Sequence, residues 1–189
     1  TTLNGTLVTT HGQGLTGLAS GNTYHYRVRS TNAFGLLTVS GDSTVTTNPA
    51  AFVQSAAGTN NAGATTIAQA FTSSTTAGNL IVAAVSWEGA ATFSCSDTQG
   101  NVYTLMPLQH DASGNQSLAI CYAPNIKGGA VTVTATFSPS SPFRRLLVHE
   151  YSGIATSAPV DVTAQNIANG TTAANNITAA AATTAAVGD

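Results

Sequence analysis

The sequence predicts an all-β protein, an antiparallel β-sandwich preceded by a partial sheet. Three observations carry this. Short segments rich in Val, Ile, Thr and aromatic residues recur at regular spacing, with Gly, Asn and Pro turn signals between them. The run VTVTATF sets Val131, Val133, Ala135 and Phe137 in strict alternation against threonines, the period of a strand with one buried face. No stretch of ten or more residues has an amphipathic helical period. The alanines of Ile177 to Val187 favour helix by propensity, but interleaved Thr pairs and the lack of charged partners oppose it.

Composition narrows the setting. The 189 residues suffice for one large β-domain or two small ones, and 42% are hydrophobic, but only 6% are charged, against roughly 25% in an average domain. Neutral Thr, Ser, Asn and Gly must then supply solubility, which points to an extracellular or cell-surface location. A net charge of -2 gives no basic field for phosphates, so neither nucleic acid nor an anionic membrane is an expected partner. The longest apolar run, LIVAAV at Leu80 to Val85, is far below the roughly 18 residues of a membrane span and suits a buried central strand. The opening TTLNGTLVTT has neither a basic nor an apolar signal region, so any export address is expected outside this chain.

The first segment, residues 1–48, alternates Tyr24, Tyr26 and Val28 with His25, Arg27 and Arg29, a strand with a core on one side. Gly17 and Gly21 bracket a turn before it, Asn32 and Gly35 mark the next reversal, and Ser43 to Thr47 forms a further strand. In order, LTGL, SGNTYHYRV, STNAFG and SGDSTVTT resemble the last strands of a fibronectin type III domain. The resemblance implies a tyrosine corner, in which the Tyr24 hydroxyl ties down the chain with Leu18 packed beneath. The early strands of that family, including the one with a core Trp, have no counterpart. The chain is therefore expected to begin inside the domain, leaving Tyr24, Tyr26 and Val28 facing an absent layer.

Residues 49–64 read as a linker, with Pro, Gly and Asn frequent and no apolar pattern. Residues 65–189 read as a β-sandwich of jelly-roll or immunoglobulin-like type, incomplete at its carboxyl end. Its expected strands are Thr65 to Thr72, Asn79 to Trp87, Ala91 to Ser96, Val102 to Gln109, Gln116 to Ala123, Ala130 to Ser138 and Arg144 to Ser152. TTAGNLIVAAVSW, SDTQGNVYT, YAPNIKGGAVTVT and HEYSG together resemble a sandwich module of large secreted bacterial proteins, which implies no catalytic residues. An internal echo links Ala68–Asn79 to Thr178–Asp189, the second copy stopping where its strand should start.

Each candidate for chemistry has a structural alternative. Cys95 and Cys121 fit no zinc spacing and fall in strand-like segments; the extracellular composition favours a disulfide over two buried thiols. DTQGN and DASGN place Asp97 with Asn101 and Asp111 with Asn115. Calcium could use such oxygens, but tight turns explain them more simply, since neither loop alone supplies six ligands. Trp87, Tyr103, Tyr122 and Tyr151 would stack sugars if they shared an exposed face, core packing being the commoner fate. Arg144 and Arg145 read as guards of an edge or loop. His149-Glu150 begins like a zinc-protease motif, but Gly153 stands where the second His belongs, and adjacent strand residues face opposite ways. GDS at Gly41 to Ser43 lacks the context of a lipase nucleophile. No catalytic set, cofactor or metal is expected. The leading reading is a non-enzymatic segment of a secreted or surface bacterial protein, a spacer, adhesion or interaction module. Its partners would be neighbouring domains of a longer chain, carbohydrate or a surface protein. The alternatives are a carbohydrate-binding accessory module of an exported hydrolase and a fibre subunit completed by a neighbour's strand.

Overall fold

A computed structural model describes Leu15, Leu18, Ala19, residues 21–166 and residues 181–183. The chain divides into two compact units, Thr1–Ala50 and Ala51–Asp189. Every pairing between strands is antiparallel, and the described residues contain no helix. None therefore forms a helix able to cross a membrane. The fold is all-β, with several antiparallel sheets packed together.

The described residues of the first unit form two ribbons. Strand β1 (Thr23–Tyr26) pairs with β4 (Ser43–Thr46), and β2 (Arg29–Thr31) with β3 (Leu37–Val39). The β2–β3 reversal is held by Asn32, whose Oδ1 accepts from the backbone N–H of Phe34 and of Leu36, while Gly35 supplies φ 79°. The Tyr24 hydroxyl accepts a hydrogen bond from the N–H of Ala19, five residues upstream, at 2.8 Å. No described residue of this unit is buried, and Phe34 is 95% exposed. Two-stranded ribbons are marginal in water without a covering layer.

The second unit is a sandwich. Its larger layer has six strands, in the order β10 (Gln109–Asp111), β11 (Gln116–Ala123), β7 (Leu80–Glu88), β13 (Arg144–Ser152) and β5 (Ala51–Asn60), with β9 (Thr104–Leu105) beside β10 on the edge of β11. The smaller layer runs β6 (Ala64–Ala70), β12 (Thr132–Ser141), β8 (Thr92–Asp97). Strand β7 is central, as its apolar run requires. Ile81, Ala83, Val85 and Trp87 point inward and are buried, while Leu80, Val82 and Ala84 occupy the outer face half-buried. From the facing layer Val133, Ala135 and Phe137 of β12 complete the core, joined by Leu146 and Val148 of β13 and by Ala119 and Cys121 of β11. Trp87 lies 5.2 Å, ring to ring, from both Phe93 and Phe137.

Three expectations are corrected. Residues 49–64 are not a linker, because Ala51–Asn60 is a ten-residue strand paired along β13 and the division falls at Ala50. Its inward positions, Gln54, Ala56 and Gly58, carry no large apolar group; a Cβ at Gly58 would come 2.7 Å from Oε1 of Gln69 on β6. The segment Val102 to Gln109 is broken into β9 and β10 at Met106–Leu108, where Pro107 has no N–H for a ladder. Arg144 does border an edge, that of β6, but from inside the fold and not from solvent. It is fully buried, its guanidinium donating to the carbonyls of Ala62 and Thr66. The expected echo at Thr178–Asp189 lies largely outside the described residues.

Candidate functional site

Cys95 on β8 and Cys121 on β11 form a disulfide between the two layers, with Cα atoms 6.6 Å apart. Both residues point inward from their strands, so the bond crosses the sandwich where the smaller layer ends at β8.

At the far end of β8 the DTQGN loop is organised by one carboxylate. Asp97 Oδ1 accepts from the N–H of Gln99 and of Asn101, and Oδ2 from the Asn101 side chain at 2.7 Å and the Tyr103 hydroxyl at 2.9 Å. The ammonium of Lys127 donates to the carbonyls of Gln99 and Gly100, and Asn101 Oδ1 accepts from the Lys127 N–H. Both Asp97 oxygens thus receive protein donors, and a lysine occupies the carbonyls that a calcium ion would need. Burial, then the Asp97 charge, then its hydrogen bond drive the Tyr103 phenol far above its ordinary range.

Asp111 and Asn115 sit at the opposite end, in the hairpin between β10 and β11. Asp111 Oδ1 accepts from the Ser113 N–H and hydroxyl, and the hydroxyl bond is the main cause of a lowered Asp111 pKa. Asn115 holds φ 51°, and its carbonyl accepts from the Gly89 N–H. These geometries are those of turns, and the Asp97 and Asp111 loops do not converge. Among the described residues, no group of three or more His, Cys, Asp or Glu gathers where a metal ion could sit.

A third polar cluster forms around Glu150, a residue that the sequence marks only as part of a broken zinc-protease motif. Glu150 is fully buried on the inward face of β13, away from outward-facing His149. Its Oε1 accepts from the Thr76 N–H at 2.8 Å and the Asn79 side chain at 2.7 Å, and its Oε2 from Gln54 at 2.7 Å. Gln54 also exchanges hydrogen bonds with the backbone of Ser73. One carboxylate therefore pins the loop before β7 to β5 and β13. In the first unit, Asp42 of the GDS run meets His25 at 2.6 Å and Arg27 at 3.7 Å, all well exposed.

The four aromatic candidates do not share a face. Trp87 is in the core, Tyr103 packs against it, and only Tyr122 and Tyr151 lie on the outer face of the larger layer. There Tyr151 and His149 gather with Phe52, their ring centroids 5.9–6.1 Å apart. Two apolar clefts are also present. One of about 190 Å³ lies on that outer face, where Pro159 and Val160 meet Leu80, Ile120 and Tyr122. The other, about 270 Å³, opens between the two layers beside β8 and is lined by Phe93, Leu105, Met106 and Leu108.

The class that fold and site define is an antiparallel β-sandwich with a disulfide between its layers, preceded in the chain by two ribbons that bury none of their described residues. No protein family, curated protein or solved structure matches the chain.

Proposed function

We propose that this chain is a non-catalytic segment of a secreted or cell-surface bacterial protein, serving as spacer, adhesion or interaction module. The observation that carries this reading is the Cys95–Cys121 bond between layers, in a chain whose charged residues are 6% of the total; such bonds persist in oxidising surroundings. The buried and half-buried polar groups support it too. Asp97, Glu150 and Arg144 spend their hydrogen bonds on loops and strand edges rather than on an open cavity. The kinship of residues 1–48 with the closing strands of a fibronectin type III domain belongs to the same proposal. The Tyr24 to Ala19 hydrogen bond and the uncovered face around Tyr26 and Val28 support it.

Carbohydrate binding is the second reading. The grouping of Phe52, His149 and Tyr151 on an outer sheet face favours it, and the burial of Trp87 counts against it. The deciding experiment recovers the protein from medium or cell envelope, titrates its thiols and assays ester, glycoside and peptide substrates. Oxidised cysteines without turnover support the proposal. Free thiols, or turnover by the purified chain, overturn it. Retention on a neutral polysaccharide column, lost in Phe52→Ala, would select the second reading.

A further inference from the structure

The two edges of the smaller layer are treated differently. At β6 the pairing with β12 directs the backbone groups of Thr66, Ala68 and Ala70 to the outer edge, and side chains take up two of the three carbonyls. Buried Arg144 donates to Thr66, and Gln69 to Ala70. Strand β8 has no such cover. The Thr98 N–H donates to the Thr132 carbonyl. Alternation along the strand then turns Thr92, Ser94 and Ser96 toward β12, and turns the N–H and C=O of Phe93 and Cys95 to the open edge. No strand among the described residues pairs there.

What lies beside this edge is equally particular. The disulfide sets β8 against β11, and the larger layer continues past β11 to β9 and β10. Among the described residues the smaller layer has no strand opposite β9 and β10, and the 270 Å³ cleft lies in that place. Leu105 is 44% exposed and Leu108 37%. No charged side chain lines the cleft. The usual devices that blunt an edge are proline, lysine or a bulge. Strand β8, TFSCSD, has none of these; its one charge, Asp97, is its last residue, with the carboxylate bonded into the loop that follows, and its six pairs with β12 run without a register shift.

We infer that β8 and this cleft form an acceptor groove for an extended, uncharged peptide strand with apolar side chains at alternate positions. The ligand backbone pairs with Phe93 and Cys95, and every second side chain descends onto Leu105, Met106 and Leu108. An open ladder selects an extended backbone, and an uncharged apolar floor selects the side chains of one of its faces. This rests on the reading of the chain as an interaction module and names what it would hold.

The test uses the whole chain and a fluorescent peptide VTVTATF, the sequence of residues 131–137, most of which already pairs with the inner edge of β8. Saturable binding is expected, with slowed amide exchange at Phe93 and Cys95. The permuted peptide VVAFTTT and the variant Leu108→Lys should each weaken binding by at least about tenfold. Leu105→Lys serves if the first variant does not fold. Absence of binding, binding without protection of those two amides, or binding indifferent to both lysine variants overturns the assignment. So does protection that appears with rising protein concentration and no peptide, which makes a second copy the occupant. The thiol and turnover measurements do not depend on any of these outcomes, so the two readings fail separately.

Discussion

The hydroxyl of Tyr103 donates to Oδ2 of Asp97 at 2.9 Å, so a phenol entering β9 closes the loop that leaves β8. Tyr103 packs against the core while its oxygen faces a carboxylate, and both circumstances resist ionisation. In an unfolded chain the phenol ionises near pH 10. The raised folded-state pKa means that this contribution to stability is intact below about pH 10 and is lost as pH rises beyond it. Unfolding free energy should therefore fall on alkalinisation, and Tyr103→Phe should flatten that fall while costing about 2 kcal/mol at neutral pH through the lost hydrogen bond. Denaturant titrations of both proteins across the alkaline range check this. An unchanged alkaline slope in the variant refutes it.

The same loop should ignore calcium. Asp97 is saturated by four donors, and Lys127 already sits on the Gln99 and Gly100 carbonyls. Thermal midpoints in millimolar calcium and in chelator should coincide. A saturable stabilisation that disappears in Asp97→Asn would show that the ion displaces the lysine.

What the sequence discloses depends on whether a signal is local. Strands β7, β11 and β13 are legible because Ile81, Ala119 and Val148 belong to runs whose alternation or continuous apolarity has one geometric solution. The turn at Asp97 is legible for the same reason, since Asp and Gly at that spacing act on their own backbone. Strand β5 is hidden because its inner face is small where β6 approaches it, so no apolar alternation marks it. The roles of Arg144 and Glu150 are hidden because their partners are distant in sequence: Glu150 meets Gln54 and Asn79 only when β5 and β7 assemble on either side of β13, and Arg144 meets Ala62 and Thr66 only when the layers close. Likewise the aromatic group on the outer face needs Phe52, which lay in the supposed linker, and the cleft beside β8 needs the break at Pro107.

Glu150, itself fully buried, supplies acceptors to three donors. Glu150→Gln keeps the volume but replaces one acceptor oxygen by an NH₂ group that must face a donor from Gln54 or from Thr76 and Asn79. The variant should lose about 2–3 kcal/mol, the cost of leaving buried donors unmatched. Gln54→Ala, which removes one of the three donors, should cost less. Chemical denaturation followed by Trp87 fluorescence measures both, because the chain has one tryptophan and it lies in the core of this unit. Equal stability of Glu150→Gln and the parent would mean that the carboxylate does not hold the loop.

The Cys95–Cys121 bond closes a loop of 26 residues. In the chain-entropy account such a closure stabilises by about 3.5 kcal/mol through the unfolded state. The double variant Cys95→Ala with Cys121→Ala should therefore unfold at lower denaturant by an amount of that order. Cys121 lies among buried neighbours, whereas Cys95 is only half-buried at the open edge, so the alanine at 121 adds a packing loss and the one at 95 little. Adding reductant to the parent removes the closure without removing the sulfurs. The reduced parent should then fall between the oxidised parent and the double variant in its unfolding midpoint. If reductant leaves the Trp87 transition where it was, the bond does not carry the stability of the sandwich, and the oxidising location inferred from it loses its physical motive.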